Sequence, residues 1–404
     1  MPAKSWLPSR LLTSTRTRRK PPTRSHQMAS ESDSSSAPSP EGVARFVISV
    51  DAMGGDRGPA AVVAGLAISS PKMSDADFIL HGDEVELARL LEKQPALTGR
   101  ALIRNAPRVV TMEDKPSQVM RHGAGTSMWS AIESVKIGEA QVAVSCGNTG
   151  ALMAVAMIRL RKVPGVNRPA IACLWPSRNP GGFNLMLDAG ADIKADSEDL
   201  LQFAMMGASY ARNGMGIKRP RVGLLNVGTE EHKGSAELRD ALERIATAAT
   251  IGDYDFVGYV EGVDIPSNRV DVIVTDGFTG NVALKTAEGT ARLIGDFLRE
   301  AFYATWASRI SGLLAGAALS RLRYRMDPRR ANGGVFLGLN GIVVKSHGSA
   351  DATGVASALA MAHQLAKSGF AARLAARVAS AQVTGQSAAT ALKEPTGTGA
   401  GQPE

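Results

Sequence analysis

Only two cysteines, Cys146 and Cys173, occur in 404 residues. That excludes a disulfide framework and a zinc site built from CxxC pairs, and it fits a reducing, cytoplasmic compartment. No run of about 18 apolar residues occurs, so a spanning helix is not expected. The chain has no GxxxxGK[ST], which counts against a P-loop, and no GxGxxG after a strand, which counts against a dinucleotide site. GxSxG and HExxH are missing as well, removing the usual serine-hydrolase and zinc-protease signatures. Acidic residues are absent from positions 1–30, which carry Lys4, Arg10, Arg16, Arg18, Arg19, Lys20 and Arg24. Those seven account for nearly all of the formal net charge of +8. The remaining chain is close to neutral, so no general grip on nucleic acid is expected.

Residues 1–42 are rich in Ser, Pro and Arg without hydrophobic periodicity, and are expected to be disordered. A basic, Ser-rich, acid-poor start has the look of an organellar transit peptide; an unstructured extension, or a true start at Met28, is the simpler reading. A secretory signal is not expected, because no apolar stretch follows the charges. Residues 381–404 form a low-complexity tail, expected to be loose. Between them, 43–380 is long enough for one large α/β domain, in one body or two lobes; 44% of the whole chain is hydrophobic.

In that span short apolar runs alternate with helical patterns. Strands are expected at 46–51, 78–81, 101–105, 141–145, 170–175, 184–188, 221–226, 255–260 and 271–275. Several are continuous Val, Ile and Leu, as in strands buried on both faces. Helices are expected at 84–93, 127–136, 149–160, 197–212, 235–247 and 279–303. The alternation predicts a three-layer α/β/α architecture around a mostly parallel sheet. Residues 336–345, with Asn340-Gly341 inside, read as a β-hairpin with a tight turn.

Ligands of parallel α/β sheets bind outside the carboxyl ends of the strands. Four such ends carry unusual loops: Asp51-Ala-Met-Gly54-Gly55-Asp56, Cys146-Gly147-Asn148-Thr149-Gly150, Asp276-Gly277-Phe278-Thr279-Gly280-Asn281 and Lys345-Ser346-His347-Gly348. The second and third share Gly-x-Thr-Gly between a strand and a helix. Glycine allows close backbone approach, the threonine is placed to cap the helix, and the exposed amides and dipole favour an anion. The same pattern also serves as plain turn-and-cap chemistry. Cys146 sits at a helix N-terminus, where a thiolate is stabilised, but a small buried residue under the loop is the simpler reading. His81, His122, His232 and His363 have no evident partners and read as structural or surface residues. His347, flanked by Lys345 and Gly348, is a candidate functional group.

Taken in order, the motifs resemble the PlsX family of phosphate acyltransferases. The resemblance rests on Val50-Asp-Ala-Met-Gly-Gly-Asp56, Lys115-Pro-Ser117 with Ser127-Met128, and Gly147-Asn-Thr-Gly-Ala-Leu152. It extends through Asn226-Val-Gly-Thr-Glu-Glu-His-Lys-Gly234, Asp276–Val282 with Leu284-Lys-Thr286, and Gly338–Gly348. Two positions depart from the family: Cys146 stands where a small residue, often alanine, is usual, and Asp188-Ala-Gly-Ala-Asp192 replaces a segment usually like Asp-Leu-Gly-Ala-Asn. The resemblance implies a phosphotransacetylase-like or isopropylmalate-dehydrogenase-like fold, usually as a homodimer. It implies transfer of a fatty acyl group from acyl carrier protein to inorganic phosphate, and delivery of the acyl phosphate to glycerol-3-phosphate acylation by a membrane acyltransferase. No cofactor or metal is needed for that reaction.

On this reading Asn148 and Thr149, with Thr279 and Asn281, line the phosphate and thioester site from two facing helix N-termini. Lys345 supplies positive charge to the phosphate or oxyanion, and His347 protonates the departing thiolate or donates a hydrogen bond. Asp51 and Asp276 orient these donors, while Gly54, Gly55, Gly147, Gly277 and Lys285 complete the substrate-binding set. Two other functions stay open: a phosphate acetyltransferase using acetyl-CoA, and a noncatalytic acyl carrier protein-binding or membrane-associated protein. Finally, Leu298, Phe302, Trp306, Ile310 and Leu313 recur at helical spacing over 296–326, and Arg309, Arg321, Arg323 and Arg325 follow without an acid. One helical face there would contact an anionic lipid surface or a dimer partner.

Overall fold

The computed structural model describes residues 45–230, 232–326, 333–370 and 373, with backbone alone at 323–326. The expected extension at 1–42 and tail at 381–404 lie outside the described residues. Strands β1 (Phe46–Asp51), β2 (Ala76–Gly82), β3 (Ala101–Asn105), β4 (Val142–Ser145), β5 (Ala170–Pro176), β6 (Phe183–Leu187), β7 (Arg221–Leu225), β8 (Asp255–Val260), β9 (Val272–Val274), β10 (Gly334–Leu337) and β11 (Ile342–Lys345) form one sheet. Their order is β3-β2-β1-β4-β11-β10-β5-β6-β9-β7-β8. Seven of its ten pairings are parallel; β11–β10, β10–β5 and β5–β6 are antiparallel. Three reversals make β6, β9, β7 and β8 run opposite to β3, β2, β1, β4 and β11.

The helices are α1 (Gly58–Ser69), α2 (Glu84–Leu91), α3 (Pro116–His122), α4 (Ser127–Lys136), α5 (Thr149–Leu160), α6 (Ser197–Met215), α7 (Ala236–Gly252), α8 (Gly277–Tyr303), α9 (Trp306–Leu314), α10 (Gly316–Met326) and α11 (Ala352–Lys367). Successive strand side chains enter opposite layers, as the pleat requires. Val142 and Val144 belong to the core cluster that includes residues of α1, α6, α7 and α11, whereas Ala143 belongs to the cluster that includes residues of α4 and α5. Leu185 and Leu187 join the first layer and Met186 the second. This is the expected three-layer α/β/α architecture.

Three helices were not expected: α1, α3 and α11. In α1, Gly-Pro-Ala-Ala-Val-Val-Ala-Gly-Leu-Ala-Ile-Ser is apolar nearly all round, so it shows no helical stripe. The reason is packing. Gly65 lies so close to α11 that an added Cβ would be 2.6 Å from Val355 Cβ. The hairpin exists, but its turn is not the tight Asn-Gly type: residues 338–341 connect β10 to β11, and Asn340 is held by the carbonyls of Arg161 and Lys162.

The 296–326 segment is helical, but it does not present one face. The chain breaks after Tyr303 and folds back, so that a Cβ at Gly312 would lie 3.0 Å from the Phe302 ring. Trp306 (77% exposed) and Leu313 (81%) therefore belong to a helical hairpin rather than to the stripe begun by Leu298.

Candidate active site

The neighbouring strands β1, β4 and β11 end level with one another. Asp51 pairs with Ser145, and Ser145 with Lys345, placing the three residues in one row across the sheet. Ser145 Oγ donates to Asp51 Oδ2 at 2.6 Å and accepts from Gly147 N at 3.0 Å. Asp51 is buried, and burial pushes its carboxyl up; Ser127, Ser145 and the amides of Met53 and Gly54 oppose that rise. Ser127 Oγ and Asp51 Oδ1 are both buried without a hydrogen-bond partner among the described residues.

Lys345 is 9% exposed, and burial lowers its ammonium to about 8. Its Nζ donates to the carbonyls of Ser346 and Cys146. Cys146 is buried; burial raises its thiol, against smaller opposing effects of Ser346 and Lys345. It is a packed residue under the loop rather than an exposed thiolate.

The loops after these strands close on each other. Asp56 N donates to Gly348 O at 2.8 Å, and Arg57 Nε to Ser349 O at 3.0 Å. Gly55 has φ +94°, and an added Cβ would lie 2.8 Å from Cys146 Cβ and 2.9 Å from Gly348 O. Only glycine fits both the backbone and the space there. Gly54 is equally confined, with Asp51 Oδ2 and Gly147 N within 2.8 Å of an added Cβ.

Helix α8 supplies the facing wall. Asn281, Lys285 and Glu288 share one helical face by their spacing. Glu288 Oε1 lies 3.1 Å from His347 Nε2, and Lys285 Nζ lies 2.9 Å from Glu288 Oε2. The His347 hydrogen bond, helped by Lys285, holds the Glu288 carboxyl down at about 2 against partial burial. Sequence reading missed Glu288. Its i, i+3 spacing from Lys285 is an available signal, but its partner His347 lies in a distant segment, the loop after β11.

Other expected residues are placed differently. Asn148, not Thr149, caps α5: its Oδ1 accepts from Ala151 N at 3.1 Å, and its Nδ2 donates to the Met112 and Asp114 carbonyls. Its amide is already engaged, so it is not a free oxyanion donor. Asp276, not Thr279, caps α8 and takes both the N–H and the hydroxyl of Thr279. Gly277 and Gly280 press on the carbonyls of Asp192 and Asp188, and Asn281 packs beside Gly190.

The two Gly-x-Thr-Gly loops are thus not two facing helix N-termini at one site. Strands β4 and β9 belong to the oppositely directed halves of the sheet. No hydrogen bond or ion pair joins 276–281 to the β1–β4–β11 loops among the described residues. Asp276 stands about 18 Å along α8 from Glu288, at 1.5 Å per residue. The motif encodes a local cap; strand direction is set elsewhere.

His81 is a structural residue, as expected. It is buried between Ser49 and Ser130, both at 2.8 Å, and burial lowers its imidazole to about 3. His363 pairs with Asp75 at 2.8 Å, away from the site. Among the described residues no group of three or more His, Cys, Asp or Glu is arranged to hold a metal ion.

The site therefore offers a buried lysine cation, an imidazole–carboxylate pair and rigid glycine loops. A family model described as "Fatty acid synthesis protein" matches residues 46–373. A phosphate acyltransferase of Cereibacter sphaeroides is 71% identical over 354 residues, covering 88% of this chain and 96% of that one. One from Paracoccus denitrificans is 68% identical over 333 residues, covering 82% and 90%. In structure the chain resembles a phosphotransacetylase from Streptococcus pyogenes (TM-score 0.55, 18% identity) and the EutD phosphotransacetylase of Staphylococcus aureus (0.53, 16%). Each likeness covers 80% of this chain and 94% of the other, and it concerns the fold. With its ordered motifs and this extent of matching, the chain belongs to the PlsX family of fatty acid synthesis proteins.

Proposed function

We propose that this protein transfers a long-chain fatty acyl group from acyl carrier protein to inorganic phosphate, releasing acyl phosphate and the free carrier thiol. The observation that carries the reading is Lys345, a buried cation at the shared end of three strands, beside the His347–Glu288 pair. A phosphate oxygen attacks the thioester carbonyl; the new C–O bond forms, a tetrahedral oxyanion develops, and the C–S bond breaks with its electron pair on sulfur. Phosphate is already anionic at neutral pH, so it needs placement more than deprotonation. Lys345 balances the phosphate or oxyanion charge. His347, held by Glu288, hands a proton to the leaving thiolate; the proton still on the phosphate group then restores the balance. Asp51 acts indirectly, through Ser145 and the amide of Gly147.

The discriminating experiment supplies phosphate with either palmitoyl-carrier protein or acetyl-CoA. Faster acyl phosphate formation from the carrier-bound long chain supports this reading. Preference for acetyl-CoA makes the protein a phosphate acetyltransferase, and binding without thiol release makes it noncatalytic.

The same reading includes reversible lipid contact by a homodimer at the inner face of the cell membrane, near the acyltransferase that consumes the product. Its support is the exposed apolar surface of α9, where Leu313 and Leu314 are 81% and 84% exposed beside Arg309. No described helix is long and apolar enough to cross a membrane. Flotation with anionic liposomes should be lost in Trp306→Glu and Leu313→Glu; if these variants instead become monomeric, α9 belongs to the dimer interface.

A further inference from the structure

Beyond the strand-end cluster lies a cavity of about 970 Å³. One end is bounded by Arg57, Glu288 and His347, the other by Ile294, Leu298 and Phe302 of α8, Leu313 of α9, and Leu319 and Leu322 of α10. The cavity is continuous with the candidate active site, because His347 and Glu288 line both. Polar groups line both parts: Arg57, His347, Ser349 and Asp351 at the strand ends, and Arg292, Arg299 and Arg309 on the helices. Its apolar groups lie along the helices that fold back on α8.

We infer that this groove holds the acyl chain, and that Leu298 and Leu322, facing it from two helices, set the chain length. The inference rests on the acyl-transfer reading and adds where the chain runs. Three features support it. The first is size: sixteen methylene-sized groups at about 30 Å³ each, the share of one water in the liquid, need on the order of 500 Å³. The second is length. From Glu288 to Phe302 the helix rises about 21 Å, and a long acyl chain spanning half of a ~30 Å bilayer core needs about 15 Å. The third is exposure. Ile294, Leu298 and Leu322 are 42%, 37% and 43% exposed, an apolar lining left to water until a chain covers it. Each methylene so buried strengthens binding about fourfold, so selectivity for length builds up along the groove.

The test uses the full chain with phosphate and carrier-bound acyl groups of six to eighteen carbons. Leu298→Trp and Leu322→Trp fill the groove from opposite walls. The loss of kcat/KM should grow with length, from under about threefold at six carbons to about tenfold or more at sixteen. Binding of cis-parinaric acid, followed by its fluorescence, should weaken in both variants while their melting temperatures stay near wild type. An equal loss at every length, no loss, or a change from dimer to monomer with parinaric binding intact would overturn the assignment. Should the unaltered protein turn over none of these donors, the acyl-transfer reading itself fails, whereas the parinaric measurement still reports on the groove.

Discussion

His347 Nε2 sits 3.1 Å from Glu288 Oε1, joining the loop after β11 to the middle of α8. Lys285 closes on the same carboxylate at 2.9 Å. A carboxylate held at about 2 stays ionised throughout the working range, so it is a constant hydrogen-bond acceptor that fixes the orientation of the imidazole.

Replacing Glu288 should therefore act through His347. Glu288→Gln is expected to lower kcat about tenfold and Glu288→Asp to recover part of it. His347→Ala should cost more, within the ~10²–10⁴ typical of a general acid. In His347→Ala, a carboxyl NMR titration should show Glu288 moving up toward the ordinary carboxylate range. A Glu288 signal that does not move would mean the pair is not coupled.

Lys345 makes the pH dependence specific. Its ammonium is lowered to about 8 by burial, so its charge is complete below that value and fades above it. Turnover should fall as pH rises through about 8. Lys345→Arg should keep its charge and flatten that limb, while Lys345→Ala should lose roughly 10²–10³ in kcat. Stability has the opposite sign. The charged lysine is the form that burial disfavours, so its cost is full below about 8 and is relieved between about 8 and the ordinary 10.5. Denaturation midpoints of the unaltered protein should rise relative to Lys345→Met across that window.

Much of this architecture is legible in the sequence. The strand–helix alternation gives the three layers, and the loops at 51–56 and 345–348 do meet. Two features are not legible. Helix α1 hides because it is apolar on all sides, and the reversals at β10, β5 and β6 hide because strand direction leaves no local mark. That second gap is why Gly-x-Thr-Gly at 277–280 reads as a partner of 147–150. Glu288 was missed for a related reason: its role comes from a contact between distant segments.

Asn148 gives a prediction that separates cap from catalyst. Its side chain accepts from Ala151 N and donates to two carbonyls, so Asn148→Ala should cost about 1 kcal/mol or more of stability. Asn148→Asp should keep the cap and lose only the tether to residues 112–114. Thermal melts of the two variants would check this; an Asn148→Ala protein as stable as wild type but inactive would restore a direct chemical role.

Gly55 tests the closeness of the loops. Its positive φ and its contacts with Cys146 and Gly348 should make Gly55→Ala costly by about 1–3 kcal/mol. Because the glycine loop positions the neighbouring donors, KM for phosphate should rise as well. Both effects are measurable by urea denaturation and phosphate titration.

The most direct test of the account is thiol release from palmitoyl-carrier protein by the purified full chain, with and without inorganic phosphate. The account predicts release that depends on phosphate and matches acyl phosphate formation one for one. Equal release in its absence would identify a thioesterase and contradict the assignment.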